Sequence, residues 1–242
     1  MSLKLSFGAL LVAALLALPA KAAIIINEVD SDSANTPTTD YAEFIELYSD
    51  SGGVTPLDGL VIVLFNGNGN VTYTASLDLD GQSTNSNGYY VIGTTSIPGA
   101  NNTSLLGAGN ILQNGVDAVA LFQGNAVAAG TTLAAAMSAG TLLDAVVYKT
   151  GADVDGVGLA STLLLGGAEV DEFSRDGTAT AGAADSIGRF PNASGAARNT
   201  TTWTWLVPTP GGPNSQVPEP TAALLLVLAG SSVTLLRRRS AR

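Results

Sequence analysis

The chain is 242 residues long and 46% hydrophobic, enough for one domain-sized core, and it contains neither cysteine nor histidine. Those two absences exclude disulfide staples, a cysteine nucleophile, a histidine-dependent triad and the usual zinc sites, all of which need thiolate or imidazole. The formal charge is −10, and between the two terminal segments only Lys149, Arg175, Arg189 and Arg198 oppose nineteen acidic residues, a net −15 that repels phosphates and anionic lipid heads, so no nucleic acid partner is expected.

Residues 1–22 have the layout of a cleavable secretory signal peptide. Lys4 supplies a positive start, residues 5–18 are an apolar stretch rich in Leu and Ala, and Pro19 breaks the helix before Ala20-Lys21-Ala22, the small-x-small pattern that a signal peptidase accepts. A buried N-terminal helix would carry a polar face, and residues 10–18 have none. Cleavage after Ala22 is expected, so Ala20, Ala22 and Ala23 mark the processing site and Ala23 opens the exported chain.

From Ala23 onward the pattern becomes one of short strands. Residues 24–29, 41–48, 60–65, 71–77, 89–92, 116–122 and 142–148 are each rich in β-branched, aromatic or Leu residues, with Gly, Asn, Asp, Ser and Pro between them. Asn66-Gly67-Asn68-Gly69-Asn70 suits a hairpin turn. Along 41–48, Tyr41, Glu43, Ile45 and Leu47 share one face and Ala42, Phe44, Glu46 and Tyr48 the other. Residues 131–138 are Ala-rich and bounded by Gly130 and Gly140, which predicts a loop or a short helix. The punctuation as a whole predicts an all-β sandwich.

The order of these pieces resembles a named family. IIINEVD (24–30), YAEFIELY (41–48), LDGLVIVLFNG (57–67), NGVDAVALF (114–122), LLDAVVY (142–148), DSIGRF (185–190) and WTWLVPTPGGPN (203–214) are similar to the bacterial lamin tail domain. That resemblance implies an immunoglobulin-like β-sandwich over residues 23–214. The stretch 151–184, rich in Gly, Ala and Asp, has no counterpart in the family and reads as an insertion.

Carboxylates are the residues left for acid–base chemistry, which singles out Glu28, Glu43 and Glu46. Glu43 and Glu46, three apart on a strand, point to opposite faces and cannot pair with each other; Glu28 can approach either only through tertiary packing. The expectation is that they bind backbone N–H groups or Arg189, with a carboxylate-dependent hydrolase as the less favoured alternative. For metals, Asp30 and Asp32, Asp78 and Asp80, and Asp153 and Asp155 place carboxylates two residues apart in loops, the beginning of a Ca²⁺ ligand set, but none completes an EF-hand loop with a distal Glu. No other cofactor is expected. Asn70, Asn101, Asn192 and Asn199 begin glycosylation sequons. Trp203 and Trp205 share a strand face, for packing or for stacking on sugar rings.

The C-terminal segment, 215–242, closes on Val217-Pro218-Glu219-Pro220, an apolar run over 221–236, and Arg237-Arg238-Arg239. The two prolines forbid helix and fix an extended segment, the backbone shape a protease binds. Sixteen helical residues reach about 24 Å, short of the ~30 Å hydrocarbon layer, which makes a marginal membrane helix with its arginines on the cytoplasmic side. These three parts resemble the PEP-CTERM sorting signal, which implies recognition by an exosortase, a membrane cysteine protease of Gram-negative bacteria. The expected protein is non-enzymatic, structural or adhesive, held transiently in the inner membrane and finally placed at the cell surface, the outer membrane or the extracellular matrix. Exopolysaccharide or other surface proteins are its expected partners; a binding module for Ca²⁺ or polysaccharide is the alternative.

Overall fold

The computed structural model describes residues 23–31, 42–107, 109, 111–113, 115–149, 155, 158–172 and 186–216. The expected signal (1–22) and the whole sorting tail (217–242) lie outside them. No helix among the described residues is long and apolar enough to cross a membrane.

Twelve strands among the described residues form two sheets: β1 (Ile24–Asp30), β2 (Phe44–Ser49), β3 (Leu60–Asn66), β4 (Val71–Thr72), β5 (Leu77–Asp78), β6 (Tyr89–Gly93), β7 (Asp117–Gly124), β8 (Gly140–Lys149), β9 (Val170–Asp171), β10 (Ser186–Arg189), β11 (Trp203–Val207) and β12 (Ser215–Gln216). The first sheet runs β12-β11-β10-β1-β2-β6, with every neighbouring pair antiparallel. The second runs β4-β3-β7-β8-β9, with β5 also on β3. Alternation sends Ile26, Val29, Ile45, Leu47, Tyr90, Ile92 and Ile187 of the first sheet against Leu60, Ile62, Leu64, Val119, Leu121, Val146 and Tyr148 of the second. Each such side chain contributes roughly 1.5–3 kcal/mol when fully buried.

The second sheet is covered on its other face as well. Val61, Val63, Phe65, Ala118, Ala120, Phe122, Ala145 and Val147 meet Leu133 and Ala136 of α1 (Leu133–Ala139) and Leu159 and Leu163 of α2 (Leu159–Leu163). This is why β3, β7 and β8 read as nearly unbroken apolar runs rather than as alternating ones. Thr132 starts α1 by accepting the Ala135 N–H at 3.2 Å, so the expected loop or short helix is a helix. The region read as an insertion supplies α2 and β9. Asp155 accepts the N–H groups of Leu159 and Ala160, both at 2.8 Å, and the Arg198 Nε donates to the last-turn carbonyl of Leu163 at 2.6 Å. It therefore closes the outer core of the second sheet.

The strand expected over 71–77 is two short ones. β4 pairs with β3 at Phe65 and Asn66, and β5 pairs with β3 at Val61 and Ile62. Between them the chain leaves β3, and Ser76 N–H donates instead to Val127 O at 3.0 Å; Thr72, still paired with Phe65, donates its N–H to Thr131 O at 2.9 Å. The hairpin turn at 66–70 forms as expected, with Asn70 at φ 54°.

Candidate functional site

The first sheet carries its polar chemistry on the outward face, and a bulge in β1 puts it there. Ile24 and Ile26 face the core, but Val29 is the next residue of β1 to do so. The register shifts between Ile26, opposite Leu47, and Glu28, opposite Glu46. One extra residue, Asn27, is thereby accommodated, and both Asn27 and Glu28 turn away from the core. Glu28 thus stands directly across the ladder from Glu46, a pairing that strand alternation alone does not reveal.

Residues 209–214 lie over this pair as a strap. Glu28 accepts the Thr209 N–H at 3.0 Å, its hydroxyl at 2.8 Å and the Ser186 hydroxyl at 2.5 Å. Glu46 accepts the Asn27 Nδ2 at 2.7 Å and the Gly211 N–H at 2.7 Å. Asn214 Nδ2 donates to the carbonyls of Arg189 (2.8 Å) and Asn27 (3.2 Å), and Asn27 Nδ2 returns a bond to Asn214 Oδ1 at 3.0 Å. Asn192 joins the cluster by accepting from Asn27 at 3.0 Å and donating to the Tyr89 hydroxyl at 3.2 Å. Both glutamates are 0% exposed. Burial pushes Glu46 up to about 8, countered by Asn27 and assisted by the charge of Glu28. Burial also raises Glu28, against the hydrogen bonds of Ser186 and Thr209. Tyr89, at the rim, is pushed up to about 12, by burial first and then by Glu46.

Gly188 lies beneath the strap with no room for a side chain. A Cβ there would sit 2.5 Å from Leu206 Cδ1, 2.7 Å from the Asn27 carbonyl and 2.9 Å from Asn214 Nδ2. Gly188→Ala is expected to lower stability by about 1–3 kcal/mol, read by urea denaturation; an unchanged midpoint would mean that the strap is not seated this tightly.

Between the sheets lies a second buried constellation. Asp144 of β8 and Arg189 of β10, each 0% exposed, pair through both carboxylate oxygens at 3.1 and 3.0 Å. The β1–β10 ladder begins only at Glu28 and Val29, so the backbone of Ile26 is served by this pair: its N–H donates to Asp144 at 2.9 Å and its carbonyl accepts from Arg189 Nε at 2.8 Å. Arg189 Nη1 donates to the carbonyls of Ser194 and Ala196, giving the guanidinium five hydrogen bonds, and the cation lies 5.4 Å from the centre of the Trp203 ring. Burial raises the Asp144 carboxyl while Arg189 and the N–H groups of Arg198, Ile26 and Ala145 lower it. Because the guanidinium keeps its proton, the ionised carboxylate is the form that neutralises the site.

The expected binding of the three glutamates to backbone N–H groups is met: Thr209, Gly211 and, for Glu43, Ile111 at 2.9 Å supply them. Arg189 is not their partner; it crosses to Asp144, which the sequence reading passed over. A lone Asp inside Leu142-Leu143-Asp144-Ala145-Val146-Val147 was the available signal, since a carboxylate in a run buried on both faces requires a cation. Of the residues proposed for Ca²⁺, Asp30 is buried at the end of β1 and Asp155 caps α2. Asp78 accepts the Asp80 N–H at 2.9 Å, closing a turn, and Asp80 accepts the N–H of Gly59, just before β3, at 2.6 Å. Asp32 and Asp153 lie outside the described residues, and among those described no group of three or more His, Cys, Asp or Glu is placed to hold a metal ion. Of the sequon asparagines, Asn192 is engaged in the strap network, whereas Asn70 and Asn101 are exposed. Trp203 packs in the core, and Trp205 packs beside it with its Nε1 donating to the Asp171 carbonyl at 2.5 Å, so both carry packing roles. A groove of about 320 Å³ opens beside them, with Glu169 and Asp171 on its other wall. No family model matches the chain, and no curated protein or solved structure matches it either.

Proposed function

We propose that this chain is an exported, non-enzymatic surface or matrix module, an immunoglobulin-like sandwich of the lamin tail type that a signal peptidase processes at one end and an exosortase-like membrane protease sorts at the other. The observation that carries the non-enzymatic reading is the use made of the carboxylates. Glu28 and Glu46 are the pair a hydrolase would need, and they are closed from solvent and committed to the strap. A general acid or base must reach a substrate proton, directly or through one water, and neither can do so here.

The sorting part rests on the tail. β12 ends at Gln216, and Val217-Pro218-Glu219-Pro220 follows at once. In the sequence, a Pro-Glu-Pro motif followed by sixteen mostly apolar residues and three arginines is the pattern that supports recognition by a membrane protease. The adhesive role is assigned to exposed sheet faces and loops, where binding residues concentrate.

The test is to fractionate native cells and read both termini of the mature protein by mass spectrometry. The expected product lacks residues 1–22, ends near 217–220, and is found at the surface or in the medium. Recovery of the intact chain, Arg237 to Arg239 included, from the inner membrane of a host with the matching peptidase overturns the sorting reading.

A further inference from the structure

The start of β1 is tied to the end of β2 by a pair of hydrogen bonds. Ala23 N–H donates to Asp50 Oδ1 at 2.9 Å, and Asp50 N–H donates back to the Ala23 carbonyl at 3.0 Å. The ladder begins one residue later, with Ile24 opposite Ser49. Both Ala23 and Asp50 are exposed, so the nitrogen has room for added protons. The residues lining the hollow beside it, Ile25, Leu60, Gln123, Leu143 and Ala197, carry no charge.

The sequence independently marks the bond just before this nitrogen. Ala20-Lys21-Ala22 is the small-x-small pattern, and cleavage after Ala22 makes the Ala23 nitrogen a free α-amine. We propose that the fold contains a receiving site for its own processed N-terminus, in which the α-ammonium of Ala23 pairs with the Asp50 carboxylate. This inference rests on the export reading above. The covalent step is hydrolysis by a membrane signal peptidase: water adds across the Ala22–Ala23 amide, the C–N bond breaks, the leader departs with a new carboxylate on Ala22, and the Ala23 nitrogen takes up a proton. The bond from a neutral amide N–H to the Asp50 carboxylate in the precursor thereby becomes an ion pair, charged on both sides. The same contact ranks the possible cleavage points. Cutting one residue later would remove the nitrogen that Asp50 holds, and cutting earlier would displace the charge from it.

A free α-amine titrates near 7.7–8.0, and an opposite charge in contact raises that value. The full precursor is expressed in an exporting Gram-negative host, the exported product is purified, and its N-terminus is read by mass spectrometry. The apparent pKa of the α-amine then comes from the pH dependence of its acetylation, in the wild type, Asp50→Asn and Asp50→Glu. The expected product begins at Ala23 with an α-amine titrating about half to one pH unit above the ordinary value, so that it reacts about three- to tenfold more slowly at pH 7. Asp50→Asn removes the elevation and Asp50→Glu restores part of it. An N-terminus at Ala23 with an ordinary α-amine in the wild type overturns the receiving site and leaves export standing, whatever the variants do. An exported product beginning at any other residue overturns the receiving site as well, and a chain retained with Met1 in place overturns the export reading together with it.

Discussion

Removing either partner of the Asp144–Arg189 pair is expected to cost about 3–5 kcal/mol, a large part of the stability of a domain of this size. The reason is the burial of both side chains between the sheets, which leaves no water to solvate the survivor. The two losses are not equivalent. In Arg189→Met, Asp144 keeps the N–H groups of Ile26, Arg198 and Ala145 and can take up a proton. Its folded pKa then lies still further above the unfolded value, so stability returns as the pH falls toward the unfolded pKa. In Asp144→Leu the guanidinium cannot shed its charge, and no such recovery is available. The Arg189→Met, Asp144→Leu double variant should lose clearly less than the sum of the single changes, since it removes both charges at once. Urea denaturation of the four proteins at pH 5 and pH 7 reads all of this. A loss below about 1 kcal/mol in both single variants would show that the pair is not the buried link between the sheets described above.

How much of this was legible in the sequence depended on whether the governing interaction was local. β1, β3, β6, β7 and β8 were visible because β-branched and aromatic runs between turn residues are a local signal. The break between β4 and β5 was not, because Val127, more than fifty positions away, engages the backbone of Ser76 between them. β9 and β12 are two residues each, too short to leave a periodic trace. Residues 151–184 looked like an excursion because, among the described residues, they give the outer core only the short run Leu159, Leu163 and Leu164 with Ala160 beside it, too little to make a periodic pattern. At the candidate site, Glu28 and Glu46 stood out as polar residues within apolar strands. Their direct opposition depends on the Asn27 bulge, and a one-residue register change is what single-strand alternation cannot register.

That opposition also fixes the sign of the protein's response to pH. Two carboxyls held beneath the strap keep their protons to higher pH than in the unfolded chain, where a glutamate titrates near 4.5. Below that value both states are protonated and the full stability is present. As the pH rises, the unfolded chain ionises first, the folded protein binds more protons than the unfolded one, and stability declines until the folded value of about 8 for Glu46 is passed. At about 1.4 kcal/mol for each pH unit between the two values, the Glu46 contribution alone is a loss on the order of 4–5 kcal/mol. The strap is where the strain falls, because Thr209 and Gly211 are the groups bonded to the two carboxyls. Hydrogen exchange at those two amides is therefore expected to accelerate between pH 5 and 8 beyond its intrinsic rise, while the amides of β3 and β7 do not follow. Glu46→Gln separates charge from shape. Its amide must turn an N–H toward either Asn27 or Gly211, which lowers stability at pH 5 by about 1–2 kcal/mol, but it has nothing left to ionise. The wild-type and variant curves of stability against pH should cross, the variant being the flatter. If the wild type instead holds its stability unchanged from pH 5 to 8, the two glutamates are already ionised beneath the strap, and its hydrogen bonds are to carboxylates rather than to a protonated pair.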